Sequence, residues 1–176
     1  MSEIIHSCMV SGPELHPYDM CLGDYLFLLY KLRTVTYGSN YKVTTNCPYC
    51  TNQNLDTINL DDLPIKEFDS DIYNYMTFEL PQTKKQIKLK MQTPRMLDSI
   101  QERVRYHRKK SSDKTINPEI IYTISNMIDT IDGESFSSFE IEDWVRDLPM
   151  LDTQTILIYG DKLNSSIGID TKLEVE

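Results

Sequence analysis

The spacing of hydrophobic side chains changes twice along the chain, from helical to alternating and back to helical. The first helical stretch covers residues 24–34, where Asp24 can cap a helix that has Tyr25, Leu28, Leu29 and Leu32 on one face. Residues 41–45 and 55–60 then alternate apolar and polar side chains. These patterns predict a helix followed by a β-hairpin.

A second pair of alternating segments follows at residues 73–80 and 86–91. The connection 81–85 contains a proline and two lysines, which makes the two segments a second predicted hairpin. Since both hairpins are antiparallel and lie close together in sequence, we expect residues 41–91 to form one small antiparallel sheet.

The helical period returns after residue 92. A polar loop is predicted at residues 108–114, and the alternating tail 167–176 can add an edge strand. The predicted helices are one that starts at Thr93-Pro94, one from Asn117-Pro118 to about 132, and two shorter ones at 140–148 and 152–163.

Together these patterns predict an α+β fold. A small antiparallel sheet with a cysteine knuckle (about 41–91) precedes a helical region (about 93–163). We expect an N-terminal region, residues 1–92, and a helical region with its C-terminal tail, residues 93–176, joined in one compact unit. At 176 residues the chain is long enough to bury a core of its own.

Two of the four cysteines lie at the tip of the first hairpin, in Asn46-Cys47-Pro48-Tyr49-Cys50. This spacing in a strand–turn–strand segment is typical of a metal-binding knuckle, because both sulfurs can point to one side. Cys8 and Cys21 are the natural third and fourth ligands, with His6 and His16 as substitutes. Four thiolates suit one metal centre, zinc or a [4Fe-4S] cluster, and the residues do not decide between them. The alternative is a metal-free chain whose first two cysteines are buried as small hydrophobic residues.

Charge is unevenly distributed along the chain. Its net charge is −9, yet residues 84–114 contain eleven basic and three acidic residues. The acidic balance of the whole argues against nucleic acid as a partner. The basic stretch is better explained as a solvated helix face and loop, or as a surface for an acidic protein. Such a chain can pair with copies of itself or with oppositely charged neighbours.

Several classes of protein are disfavoured by what the sequence lacks. The first residues show no secretory leader, and the longest apolar run, residues 25–30, is too short to span a bilayer. We therefore expect synthesis in a reducing cytoplasm, where the cysteines are better explained as ligands than as disulfides. There is no glycine-rich phosphate loop, no Gly-x-Ser-x-Gly and no His-Glu-x-x-His, so we expect no enzymatic activity.

The order of short motifs resembles the baseplate proteins of contractile-tailed bacteriophages over roughly residues 20–165. The similarity is greatest to the distal baseplate hub subunit, or hub assembly protein, of T-even-type phages. The motifs are Cys21-Leu22-Gly23-Asp24-Tyr25-Leu26-Phe27-Leu28-Leu29, Leu32-Arg33, Tyr37-Gly38, Cys47-Pro48-Tyr49-Cys50, the alternating sheet, Thr93-Pro94-Arg95 and Leu148-Pro149-Met150-Leu151-Asp152.

The resemblance implies a non-enzymatic part of the tail tip, oligomeric in the virion, made in the host cytoplasm and assembled with hub, spike and tape-measure proteins. Related proteins often carry a further cysteine pair near the C-terminus, which residues 168–176 lack. We therefore expect Cys8 and Cys21 to complete the ligand set. The alternatives are a soluble hub assembly chaperone absent from the mature particle, and a small dithiol redox protein that uses Cys47 and Cys50.

Overall fold

The computed structural model describes residues 2–12, 14–46, 50, 52–110 and 117–170, which form seven α-helices and seven short strands. The helices are α1 (Ser2–Cys8), α2 (Leu22–Tyr37), α3 (Tyr73–Met76), α4 (Pro94–Lys110), α5 (Pro118–Met127), α6 (Ser138–Arg146) and α7 (Met150–Asn164). The strands are β1 (Asn40–Asn46), β2 (Gln53–Asn59), β3 (Ile65–Lys66), β4 (Thr77–Glu79), β5 (Gln86–Leu89), β6 (Ile128–Ile131) and β7 (Gly168–Ile169).

The strands form three separate antiparallel sheets. β1 and β2 make a hairpin in which Asn40 lies opposite Asn59 and Asn46 opposite Gln53. β4, β5 and β6 make a three-stranded sheet, and β3 pairs with β7. The α+β fold class is confirmed, but the expectation of one sheet over residues 41–91 is wrong. β5 takes its second neighbour from residues 128–131 instead of from the first hairpin.

The core lies between the three-stranded sheet and helices α5, α6 and α7. β5 alternates exposed and buried residues, so that Ile87 and Leu89 point inward and are fully buried. We call the buried cluster around this sheet the C-terminal core; its members are Ile72, Leu80, Ile87, Leu89, Ile124, Met127, Ile128, Ile131, Ile141, Val145, Ile156 and Leu163. This cluster joins residues from both sides of position 92. The division of the chain into a region 1–92 and a region 93–176 therefore remains a prediction.

One buried carboxylate ties α7 to this sheet. Asp152, in the first turn of α7, accepts hydrogen bonds from the backbone N–H groups of Gln82 (2.8 Å) and Thr83 (2.9 Å) in the β4–β5 turn. Burial raises the pKa of Asp152, but these donors, the Thr83 side chain and the charge of Lys84 outweigh it and leave the pKa below its usual value.

Two predicted elements are wrong, the first for a local reason and the second because of tertiary pairing. Residues 73–76 form helix α3 instead of a strand, because Asp69 accepts from the N–H of Asp71 and starts a helical turn that continues into α3. Residues 128–131 continue the isoleucine spacing of α5, yet they pair with β5 as strand β6. Helix α1 lies in the N-terminal segment, to which the hydrophobic pattern assigned no element.

Helix α4 begins at Pro94 as predicted and packs against α5 through Ile100, Val104 and Tyr122. It continues to Lys110, so the first three residues of the predicted loop 108–114 are helical, while residues 111–116 lie outside the described residues. Helices α6 and α7 match their predictions closely, and β7 confirms part of the expected C-terminal strand.

The first turn of α2 contacts the rest of the chain through two glycine backbones. A Cβ added at Gly23 would lie 2.2 Å from the carbonyl oxygen of Ile167, and one added at Gly168 would lie 2.5 Å from that of Gly23. Gly168 also has a φ of 98°, a conformation that disfavours side chains. Next to this contact, the N–H of Leu22 donates to the carbonyl oxygen of Gln92 at 2.8 Å. No larger residue fits between these backbones unless one of them moves.

The helix and hairpin at residues 22–59, here called the hairpin lobe, contribute little to the core. None of the 16 residues of α2, all of them described, is buried, and β1 and β2 are largely exposed on both faces. The predicted helix at 24–34 is confirmed, but its apolar face is only partly covered. Among the described residues, no helix is long and apolar enough to cross a membrane.

Candidate functional site

The predicted metal ligands lie on different parts of the fold. Cys8 is the last residue of α1 and is exposed, Cys21 immediately precedes α2, and Cys50 is exposed at the tip of the β1–β2 hairpin. Cys47 lies outside the described residues, together with Pro48 and Tyr49. No group of three or more His, Cys, Asp or Glu residues suited to a metal ion occurs in the described ranges. Since one ligand of the pair is not described, the metal centre stays a prediction.

Cys21 is held in its protonated form. Burial raises the pKa of its thiol to about 11, and the carboxylate of Asp24 adds to this effect. The Sγ of Cys21 donates to Oδ2 of Asp24 at 3.1 Å. Because the thiolate is the form that binds metals and attacks disulfides, this cysteine is a poor nucleophile in the observed arrangement.

The two histidines named as substitute ligands are neighbours. The rings of His6 and His16 lie 4.9 Å apart between centroids, with 31° between their planes. Nδ1 of His16 accepts from the N–H of Tyr18 at 3.2 Å, and its Nε2 lies 3.6 Å from Oε1 of Glu3. The structure thus brings these residues together in a contact that packs α1 against the turn at 17–19.

The basic stretch 84–114 is largely neutralised by acids of the same chain. Of the ten basic residues at positions 84–110, the described part of this stretch, six make ion pairs: Lys84–Glu79, Lys85–Asp132, Lys88–Asp129, Arg95–Asp19, Arg103–Glu142 and Arg108–Glu119. In the most buried pair, Arg103 lies 2.6 Å from Glu142 and 4.3 Å from the centre of the Tyr122 ring. The complementary surface expected for a neighbouring subunit is therefore much smaller than the sequence indicates.

The hairpin lobe contains an open apolar groove of about 360 Å³ between α2 and the hairpin. We call it the groove; its lining residues are Leu29, Tyr30, Arg33, Tyr41, Val43, Ile58, Leu60 and Leu63. The guanidinium of Arg33 donates to the carbonyl oxygens of Gly38 (2.5 Å) and Asn40 (3.2 Å) and contacts the rings of Tyr37 and Tyr41. Arg33 therefore fixes the turn between α2 and β1.

The register of the hairpin places an acidic side chain at the end of the groove. Tyr41 lies opposite Ile58 and Val43 opposite Asp56, and residues paired in this way share one face of the hairpin. Asp56 is therefore on the groove-facing side of the hairpin, beside Val43. Asp61 and Asp62 follow Leu60 at the other end, and Asp61 lies 3.2 Å from Nζ of Lys31.

The sequence did not identify this groove as a site. Its residues come from α2, from both strands of the hairpin and from the turn after it, which only the register and the packing of the hairpin bring together. One sequence signal pointed to it: the apolar residues of α2 surround the helix, whereas a helix packed on a core of its own has one apolar stripe.

The chain also matches a known family. The family described as "T4 bacteriophage base plate protein" matches residues 1–174, a range that includes the hairpin lobe and the C-terminal core. No curated protein and no solved structure matched the chain. Because the family match spans nearly all of the sequence, the protein belongs to the family of T4 bacteriophage base plate proteins.

Proposed function

We propose that the protein is a structural, non-enzymatic subunit of the baseplate hub at the tip of a contractile phage tail, and that it acts in hub and tail assembly. Family membership makes it a baseplate component of the virion tail, with other tail proteins as its partners. Within that frame, the proposed neighbours are hub, spike and tape-measure proteins, and the proposed place of assembly is the host cytoplasm.

One observation carries the proposal: the hairpin lobe exposes apolar surface that the chain does not cover. A helix that is apolar around its circumference is stable in water when other chains or elements cover it, yet α2 has no buried residue. An isolated two-stranded hairpin is at best marginally stable, yet β1 and β2 have no third strand in the described chain. Both elements fit a subunit whose packing is completed by its neighbours.

The cysteines remain part of this proposal. One metal, zinc or a [4Fe-4S] cluster, would be held by Cys8, Cys21, Cys47 and Cys50, joining the N-terminal segment to the hairpin tip. The exposed positions of Cys8 and Cys50 suit such a role. Cys21 suits it less well, since metal binding would first have to displace the proton that its thiol shares with Asp24.

The test is quantitative mass spectrometry of purified tails. A hub subunit is expected at a fixed ratio to other tail proteins after extensive washing. A protein that is abundant in infected cells but absent from tails would contradict the proposal and would support an assembly chaperone instead. A readily cycling dithiol at Cys47 and Cys50, in a protein that is absent from tails, would support the redox alternative.

A further inference from the structure

We propose that the groove binds the exposed basic face of α4 from a second copy of the chain, so that subunits associate head to tail. This inference rests on the proposed function, because it names the neighbour that covers the hairpin lobe. The basic face of α4 is defined by Arg105, Tyr106, Lys109 and Lys110, which lie on one side of the helix at spacings of one, four and five residues.

A partner that fits the groove has both an apolar side chain and positive charge. Leu29, Val43 and Ile58 line an apolar floor, so the partner needs at least one large apolar side chain. Asp56 and Asp62 make no ion pair with any described residue, so positive charge beside that side chain would be favoured. Arg33 keeps its positive charge at the groove, because its acceptors are neutral carbonyl oxygens, but the two carboxylates outnumber it and the net charge of the three groups still favours a basic partner.

The basic face of α4 has this composition and points away from its own subunit. The rest of the helix circumference holds the internal contacts: Arg103 with Glu142 at the border of the basic face, buried Val104 opposite it, His107 with Tyr122, and Arg108 with Glu119. On the basic face, Tyr106 is 60% exposed, and Nζ of Lys110 lies 4.5 Å from the centre of its ring. Neither Arg105 nor Lys109 makes an ion pair with another described residue.

Charge distinguishes this face from exposed apolar side chains that lie close to acids. Phe136 and Phe139 lie beside Glu134 and Glu140, and Met150 follows Asp147 closely in sequence. Such surfaces would bring carboxylates toward Asp56 and Asp62, which is unfavourable. Tyr106 differs because its own helix face presents three cations against one exposed acid among the described residues of the adjoining turn, Glu102.

Size and position are also compatible. A tyrosine buries roughly 150–250 Å² when it becomes an interface anchor, and an open groove of about 360 Å³ can take one such ring between Tyr30 and Tyr41. Within a subunit, α4 packs on α5 and on the turn at 17–19, whereas the groove lies between α2 and the hairpin. A contact between two different surfaces of identical chains is heterologous and builds rings or open chains.

The experiment measures the mass of the full-length protein by light scattering and sedimentation over a range of concentrations. The wild type is expected to form species larger than a dimer, and added salt should shift it toward monomer. A groove variant, Val43→Thr with Asp56→Lys, and a face variant, Tyr106→Ser with Lys109→Glu, should each weaken association by roughly thirtyfold or more. Circular dichroism checks that both variants keep their secondary structure.

Mixing the two variants gives the decisive result. Each retains one intact surface, so an equimolar mixture should form a 1:1 dimer and nothing larger. Val35→Ser is the matched control, since this exposed residue of α2 lies on the side away from the groove and should leave association unchanged. A wild type that stays monomeric, a mixture that stays monomeric, or a control as weak as the groove variant would each overturn the proposal.

The two proposals fail separately. If the protein is present in purified tails but does not associate with itself, the head-to-tail contact is refuted and the structural role stands. If it associates as described but is absent from tails, the contact stands and the hub role is refuted.

Discussion

The protein contains two antiparallel hairpins with opposite surroundings. In the hairpin of β4 and β5, Leu89 is fully buried, because β6 lies beside it and α5, α6 and α7 cover it. In the hairpin of β1 and β2, Leu55 is 70% exposed, and no residue of either strand is buried. Local sequence made both of them hairpins. What differs is whether this chain supplies the elements that cover them.

The two regions of the molecule differ in what they contribute: one provides stability and the other exposed surface. The C-terminal core has a complete hydrophobic interior and supplies most of the stability of the isolated subunit. The hairpin lobe is attached by contacts of Leu22 and Gly23 at the start of α2 and by the ion pair of Lys31 with Asp61, and it leaves its apolar groove open. A lobe of this kind suits a protein that is surrounded by other proteins in the tail baseplate.

The largest expected effect comes from truncating one leucine in each hairpin. Leu89→Ala should lower the free energy of unfolding by about 3 kcal/mol, because it removes a fully buried side chain and leaves a cavity. Leu55→Ala should change it by less than about 0.5 kcal/mol. Urea denaturation measures both. Equal losses would mean that the hairpin lobe is packed as firmly as the core.

A second comparison concerns the buried carboxylate of the core. Asp152→Ala should cost about 2 kcal/mol, since two backbone N–H groups lose their acceptor. Asp152→Asn, which keeps one acceptor oxygen, should cost less. Because the pKa of Asp152 is lowered, its stabilisation is present above the pKa of the unfolded chain and is lost as the pH falls through the folded value. Thermal unfolding between neutral and acidic pH should therefore show a shallower decline in the Asn variant.

The attachment of the hairpin lobe can be tested at Gly23. Gly23→Ala places a methyl group against backbone atoms and should cost about 1–3 kcal/mol, with the loss of hydrogen-exchange protection concentrated in α2. Gly160→Ala is the control, since its new methyl group meets the flexible side chain of Met127 and its helical position favours alanine. Uniform loss of protection over the whole chain would show that lobe and core unfold together.

The last prediction concerns the reactivity of the cysteines, where the expected effect on stability is the smallest. At pH 8 an alkylating reagent should modify the exposed Cys8 and Cys50 of the metal-free protein first. Cys21 should react roughly a hundredfold more slowly, because its raised pKa leaves little thiolate. Peptide mapping after brief alkylation measures the rates. Protein purified anaerobically with one bound zinc or cluster should protect all four cysteines, and a chelator should restore the difference. Rapid labelling of Cys21 without metal would contradict its assigned environment.

Local features of the fold could be predicted from the sequence, and long-range ones could not. The proline at residue 94 and the alternation at residues 41–45 act within a few residues, and each gave the correct element. The expected cap at Asp24 is wrong, because α2 begins at Leu22 after Cys21 and Asp24 lies within its first turn. Residues 128–131 fit the helical period of α5, but their strand partner β5 lies some forty residues away and decides their conformation.

The candidate site was less predictable for the same reason. The helical spacing of Leu29 was apparent, but its neighbours Tyr41 and Ile58 meet only through the hairpin register, and a groove left open for another chain has no signature in one sequence. The hydrogen bond of Cys21 to Asp24 spans three residues, yet the burial that raises its pKa depends on packing. The cysteine spacing at the hairpin tip remains a prediction about metal binding.

The glycine contact at the start of α2 has a mechanical consequence. With 16 residues, α2 is about 24 Å long, and its first turn meets the strand end at Gly168 without intervening side chains. A rigid rod held near one end acts as a lever, so that a tilt of about 5° at the pivot moves the far end by about 2 Å. Adjustments too small to disturb the core are therefore amplified at the hairpin. Identical subunits can in this way meet neighbours whose positions are not identical.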